Sequence, residues 1–134
     1  MDTLKDSQGT ILRKRRKMFR NKEIGKLGEE IATQYLRNKG YKILDRNFMC
    51  RQGEIDIVAH TKKELVFVEV KTRTNLSYGR PSEAVTEIKQ NHIEKAIKYY
   101  IYKHHLENED IRFDIIEVYV YKEKYKINHI KQAM

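Results

Sequence analysis

The run Leu65-Val66-Phe67-Val68-Glu69-Val70-Lys71-Thr72 constrains this chain more than any other segment. Successive strand residues point to opposite faces of a sheet. A run that stays apolar at both odd and even positions therefore needs cover on both sides, as the central strand of a layered α/β sheet has. Its charges come only at the end. Glu69 and Lys71, two apart, project from the face shared by Leu65 and Phe67, so a carboxylate and an ammonium lie beside surface that has to be buried.

The flanking patterns supply the layers. From Glu23 the apolar positions Ile24, Leu27, Ile31, Tyr35 and Leu36 recur at helical spacing, and Gly40 supplies a stop. Tyr41–Phe48 reads as a first strand, Gln52-Gly53 as a turn, and Ile55, Ile57 and Val58 as a second strand. Thr61-Lys62-Lys63-Glu64 is a tight polar connection into the third strand. Asn75–Pro81 is a loop holding Gly79 and the chain's single proline, and Ser82 is an N-cap candidate for a long helix to about His105. Ile111–Val120 reads as a fourth strand, and Tyr121–Ile130 as a polar edge strand reached through Lys122-Glu123-Lys124. The expected architecture is an α/β sandwich: a mixed central sheet flanked by helices, the first three strands meandering and the long helix crossing to the fourth.

With 134 residues the chain has room for one core. Residues 21–134 are expected to form that single domain, and residues 1–20 a basic, disordered tail. The tail holds seven lysines and arginines against Asp2 and Asp6, about half of the chain's excess of +9. Such a surface attracts polyanions, nucleic acid foremost; the bland alternative is a solvated tail with no dedicated partner, or a start at Met18. No apolar run approaches the roughly 20 residues of a membrane span, and the basic N-terminal stretch is followed by no apolar signal region. The lone Cys50 forms no internal disulfide, which fits a reducing cytoplasm and a small packed residue better than a nucleophile.

The chemistry-bearing residues converge on the third strand. Asp56 sits on the preceding strand, thirteen residues before Glu69, and a hairpin brings it toward Glu69 across the ladder. Two carboxylates in a partly dry cleft repel unless a cation lies between them, and hard oxygen ligands suit Mg²⁺ or Mn²⁺. The competing explanation is a salt bridge in which Lys71 neutralises Glu69 or Asp56; Glu-x-Lys alone would favour it, and the upstream Asp56 moves the balance toward a site. Glu29 falls at the border of the first helix's apolar stripe and is a further acidic ligand candidate, whereas Glu30 points to solvent. In the long helix Val85, Ile88, Ile93, Ala96 and Tyr100 form the stripe, with Lys89 near its centre. Lys89 either snorkels or leans over the carboxylates to meet phosphate.

These residues match a known pattern. Gly25-x-x-Gly28-Glu29-x-x-Ala32, Gly40-Tyr41, Arg46-Asn47-Phe48, Gly53-Glu54-Ile55-Asp56, Val66 through Arg73, and Gly79-x-Pro81-x-Glu83-Ala84-Val85 with Lys89-Gln90 resemble the YraN-like family of uncharacterised bacterial proteins. That family looks like a branch of the PD-(D/E)XK nuclease superfamily and is similar to archaeal Holliday-junction resolvases. The resemblance implies a restriction-endonuclease-like αβββαβ core. It implies Asp56, Glu69 and Lys71 as a catalytic triad, Glu29 as a helical acidic residue, and Lys89 and Gln90 at an auxiliary position. Ile55 stands where the superfamily usually has proline.

The expected activity is Mg²⁺- or Mn²⁺-dependent phosphodiester hydrolysis by an endonuclease in the cytoplasm, acting on DNA more than RNA, branched or structured DNA included. Asp56, Glu69 and Glu29 would hold metal, while Arg73, Arg80, Lys89 and Gln90 would grip nucleic acid. The resolvase likeness admits a homodimer. The alternative is a catalytically silent nucleic-acid-binding module on the same fold. A third reading, a protein-interaction domain, would use Tyr99, Tyr100, Tyr102, Tyr119, Tyr121 and Tyr125, although such rings more often lie half buried at a core's edge.

Overall fold

The computed structural model describes residues 10–74 and 87–134, and for residues 10–21 the backbone alone. The order is α1 (Thr10–Asn38), β1 (Lys42–Cys50), β2 (Gly53–His60), β3 (Glu64–Thr74), α2 (Glu87–His104), β4 (Asp110–Tyr121) and β5 (Lys124–Ile130). The strands form one sheet in sequence order. β1, β2 and β3 are antiparallel neighbours, β4 lies parallel to β3, and β5 returns antiparallel on β4. This is the expected mixed sheet, in which only the β3-to-β4 connection needs a helical crossover. Helix, three strands, helix and strand fit an αβββαβ core with β5 added at the edge.

β3 is the central strand its composition demands. Leu65 and Phe67 join Ile93, Ala96, Ile97 and Tyr100 of α2 in one buried cluster, while Val66 and Val68 join Ala32 and Leu36 of α1 in another. The helices therefore cover opposite faces, and Leu65 through Val68 are fully buried. Cys50 packs at the edge of the α2-side cluster and donates its thiol to the Gly53 carbonyl at 3.4 Å.

Both helical stripes are rotated from their expected centres. In α1 the buried line is Gly28, Ala32, Thr33 and Leu36, whereas Leu27 is 42% exposed. Small residues win the centre because the helix lies close to the sheet, and the rotation carries Glu29 inward beside Gly28. In α2 Ile88 is 72% exposed and Ile97 takes its place. Lys89 then lies one turn before Ile93 on the covered side. α1 also starts at Thr10, ahead of Glu23, so the basic run Arg13–Lys17 lies within it. The N-cap candidate Ser82, the loop Asn75–Pro81 and Val85 fall outside the described residues. Of the tyrosines considered for an interface, Tyr100 is core, 3% exposed, while Tyr102 is 71% exposed.

The closeness of α1 to β3 is readable at Gly28, where an added Cβ would collide with the side chain of Thr72. At Gly25, one turn earlier, a Cβ meets nothing within 4 Å. Alanine gains up to about 1 kcal/mol over glycine in a helix interior, but overpacking a tight contact costs about 1–3 kcal/mol. Gly28→Ala is therefore expected to destabilise and Gly25→Ala to stabilise, by urea denaturation. Equal effects would mean that the α1–β3 approach is looser than the structure has it.

Candidate active site

The site lies where the sheet opens. β2 and β3 pair over four positions, from His60↔Leu65 to Ile57↔Val68, and then part. β2 stays paired with β1 down to Gly53, and β3 stays paired with β4 up to Thr74. Asp56 and Glu69 are the next residues along on either side of the gap. The Asp56 carboxylate takes over the ladder's role there, its Oδ2 accepting a hydrogen bond from the Val70 backbone N–H at 2.8 Å.

The gap coincides with a change of face in two strands. Arg46 meets Glu30 of α1 at 2.9 Å, yet Phe48, two residues on, is in the α2-side core. Ile57 is in the α1-side core, yet Ile55 is in the α2-side core. Regular alternation forbids this, so each strand turns over once between those residues, at Asn47 and at Asp56. Asn47 has φ 51, the left-handed region that asparagine tolerates better than most residues. The flanking pairs Arg46↔Ile57 and Phe48↔Ile55 set Asn47 opposite Asp56.

Four carboxylates surround the opening. The side-chain amide of Asn47 donates to Glu29 Oε1 at 2.9 Å and to Glu54 Oε1 at 3.1 Å. Glu69 Oε1 pairs with the Lys89 ammonium at 2.8 Å, while among the described residues Glu69 Oε2, also buried, finds no hydrogen-bond partner. Burial pushes the Asp56 carboxyl up to about 7, against the lowering effect of the Val70 hydrogen bond and with help from the negative charges of Glu29, Glu54 and Glu69. A carboxyl so placed is eased by a proton or by a cation.

Whether these residues suit a divalent metal turns on the donor set. Among the described residues no group of three His, Cys, Asp or Glu side chains comes together as a ready metal cage. Mg²⁺, however, is commonly held by one or two carboxylates, with water and substrate phosphate completing its shell. Asp56 and Glu69, all hard oxygen, with Glu69 Oε2 unpartnered among the described residues, fit that mode.

The other residues singled out from sequence fall as follows. Lys71 follows Glu69 on the same face by alternation and stands in register with Glu117 of β4. Arg73, half-buried, lies further along β3. Lys89 and Gln90 open α2, the former in contact with Glu69. Arg80 lies outside the described residues. Glu54 and Asn47 lie within the matched motifs, but no role for either is legible from sequence; a strand asparagine followed by an aromatic core residue carries no periodic signal.

Away from the opening, sequence reasoning also missed a buried polar network. Asp114 and Glu117 are fully buried on β4. Arg112 grips both oxygens of Asp114 and also reaches Glu64 and the Tyr41 hydroxyl. His129 bridges Asp114 Oδ2 at 2.7 Å and the Tyr35 hydroxyl at 3.0 Å. Asn128 donates to Glu117 at 2.9 Å. A surface groove of about 520 Å³ between α1 and β5, lined by Leu27, Ile31, Tyr35 and Ile127 among others, includes none of the four carboxylates at the opening.

Comparison with known proteins places the chain. A UPF0102 protein of Caldanaerobacter subterraneus is 51% identical over 120 residues, covering 87% of this chain and 98% of that relative. One of Alkaliphilus oremlandii is 49% identical, covering 84% and 98%, and one of Clostridioides difficile is 48% identical, covering 84% and 97%. The model of the uncharacterised protein family UPF0102 matches residues 28–118, a span that contains Glu29, Asn47, Asp56, Glu69 and the Arg112–Asp114 pair. With the family model spanning most of its sheet and near full-length relatives at about half identity, the chain belongs to the uncharacterised protein family UPF0102.

Proposed function

We propose that this protein is a metal-dependent endonuclease acting on nucleic acid, DNA more than RNA, with structured or branched DNA as the substrate class. The observation that carries the reading is Asp56: a carboxyl pushed up to about 7 at the mouth of a sheet opening, across the gap from Glu69, whose Oε2 has no hydrogen-bond partner among the described residues. Asp56 and Glu69 are the residues to hold Mg²⁺ or Mn²⁺, with Glu29 and Glu54 at its margin. The bound ion would supply a water of lowered pKa and charge stabilisation at phosphorus. The Val70 N–H fixes the Asp56 carboxylate in place. Lys71, beside Glu69, is suited to orient a water or to neutralise charge developing on phosphate. Lys89, at 2.8 Å from Glu69 and half exposed, would exchange that partner for a phosphate. Arg73, four residues past Glu69 on β3, and Gln90, next to Lys89 on α2, would add grip on the backbone, and the chain's +9 charge favours a polyanion.

A second reading has one observation in its favour. The Lys89–Glu69 ion pair already neutralises one of the two ligands, which suits a nucleic-acid-binding module without turnover. Incubation with duplex, single-stranded and four-way-branched DNA in Mg²⁺, Mn²⁺ or EDTA separates the two. Nicking that needs metal and vanishes in Asp56→Asn supports the enzyme. Salt-sensitive binding with no product on any substrate supports the silent module, and neither binding nor cleavage removes both readings.

A further inference from the structure

The Arg46-Asn47-Phe48 segment is part of the sequence pattern, yet the mechanism above leaves Asn47 without a task. We propose that Asn47 is a positioning residue for this site, its side-chain amide clamping Glu29 of α1 and Glu54 of β2 beside Asp56. The inference rests on the reading of the opening as a metal site and deepens it.

Three observations converge on one residue. Asn47 adopts φ 51, and the strand turns over there: Phe48 goes to the α2-side core while the Asn47 amide reaches Glu29 and Glu54 toward α1. A primary amide has two N–H donors on one nitrogen, which suits it to hold two carboxylate oxygens, here at 2.9 and 3.1 Å. Asn47 stands opposite Asp56, and Glu54 is two residues from it on β2, so the clamp holds two like charges beside that carboxylate. Left to themselves, exposed like-charged carboxylates swing apart into water, so a fixed donor between them is what keeps that negative potential at the opening. An amide does this without adding charge; a lysine would cancel the potential, and an aspartate would add to the repulsion.

The test must separate the backbone's needs from the amide's. Asn47→Gly keeps easy access to φ near 51 and removes only the clamp; Asn47→Asp keeps the side-chain shape and removes the donors. Mn²⁺ binding by titration calorimetry is read on the full chain for wild type, Asn47→Gly, Asn47→Asp, Glu29→Gln and the Asn47→Gly/Glu29→Gln double variant, alongside melting temperature and kcat and KM on branched DNA. The expected result is Mn²⁺ affinity and kcat lowered about tenfold in both Asn47 variants, the scale of lost outer-sphere partners of a metal site. KM should hold, the melting temperature of Asn47→Gly should stay near wild type, and the double variant should lose less than the two single effects multiplied, because part of the Asn47 effect runs through Glu29 and the rest through Glu54. Wild-type Mn²⁺ affinity in Asn47→Gly, with Glu29→Gln impaired, overturns the role of Asn47 and leaves the site standing. Full additivity in the double variant likewise overturns action through Glu29. If wild type itself takes up no Mn²⁺, the metal-site reading falls and Asn47's role falls with it.

Discussion

Asp56→Asn is expected to melt higher than wild type at pH 8 while losing metal-dependent cleavage by a hundredfold or more. The two effects share one cause. Burial, with three neighbouring carboxylates, holds the Asp56 carboxyl at about 7 against an ordinary 3.8. The folded state therefore binds a proton that the unfolded chain has released. Native stability from this group is fully present below about pH 4, is lost as pH rises toward 7, and stays lost above it. Integrated over that window the loss is at most on the order of 4 kcal/mol, less whatever solvent at the opening screens. Asparagine carries no charge at any pH and keeps a carbonyl for the Val70 N–H, so it avoids the loss. It is also a poorer metal ligand, and loss of a direct ligand should exceed the 10- to 100-fold typical of outer-sphere partners. Melting curves of wild type and variant from pH 4 to pH 8 check the sign: the gap should open with rising pH, and Mg²⁺ should narrow it by stabilising wild type alone. Curves that run parallel would mean that the carboxylate is at ease as an anion, and the main physical argument for a cation there would go.

The opposite sign is expected at Asp114. Burial alone would raise its carboxyl, but hydrogen bonds from His129, Arg112 and the Gln132 N–H outweigh burial and hold it below the ordinary carboxylate range. Arg112 is raised in turn, first by its hydrogen bond to Asp114, which keeps it charged at all accessible pH. Asp114→Ala strands a nearly buried guanidinium, its side chain 9% exposed. Breaking one partner of such a pair costs about 3–5 kcal/mol, a large share of the 5–15 kcal/mol that holds a domain of this size together. The contribution is present above about pH 4 and is lost as pH falls through the lowered folded value. Urea denaturation at pH 7 and pH 3 measures both points: the variant should be much weaker than wild type at pH 7, and the difference should shrink at pH 3. A change below 1 kcal/mol at pH 7 would show that Arg112 finds equal support from Glu64 and Tyr41.

The α/β class, the meander of three strands, the helical crossover and the edge strand were legible from residues alone. The reason is visible in β3: Leu65 to Val68 are apolar at both parities, and such a run has few stable places except the middle of a covered sheet. That Asp56 and Glu69 come at one level of neighbouring strands was legible from the same source, because a tight connection leaves an antiparallel hairpin little choice of register; that the ladder ends just before them was not. Helix faces were read less well. Periodicity ranks residues by hydrophobicity, whereas α1 is seated by closeness of approach, so Gly28 and Ala32 displaced Leu27 from the centre.

Tertiary structure alone decided the rest. Asn47 and Asp56 turn their strands over at one level of the sheet, and no alternation pattern announces a residue at which alternation fails. The amide of Asn47 joins Glu29 to Glu54 across 18 and 7 positions of sequence, and between the two sequence readings of Lys89 the fold chose the lean over the carboxylates, with contact at Glu69. Asp114, Arg112 and His129 form a network whose members look like stray polar residues in apolar strands until β5 folds back on β4. The sequence determined which groups could do chemistry and which strands carry them, because strand pairing is local and periodic. The three-dimensional fold decided which carboxylates share a space and how buried Asp56 is, because burial and charge proximity belong to the packed molecule and not to any segment of it.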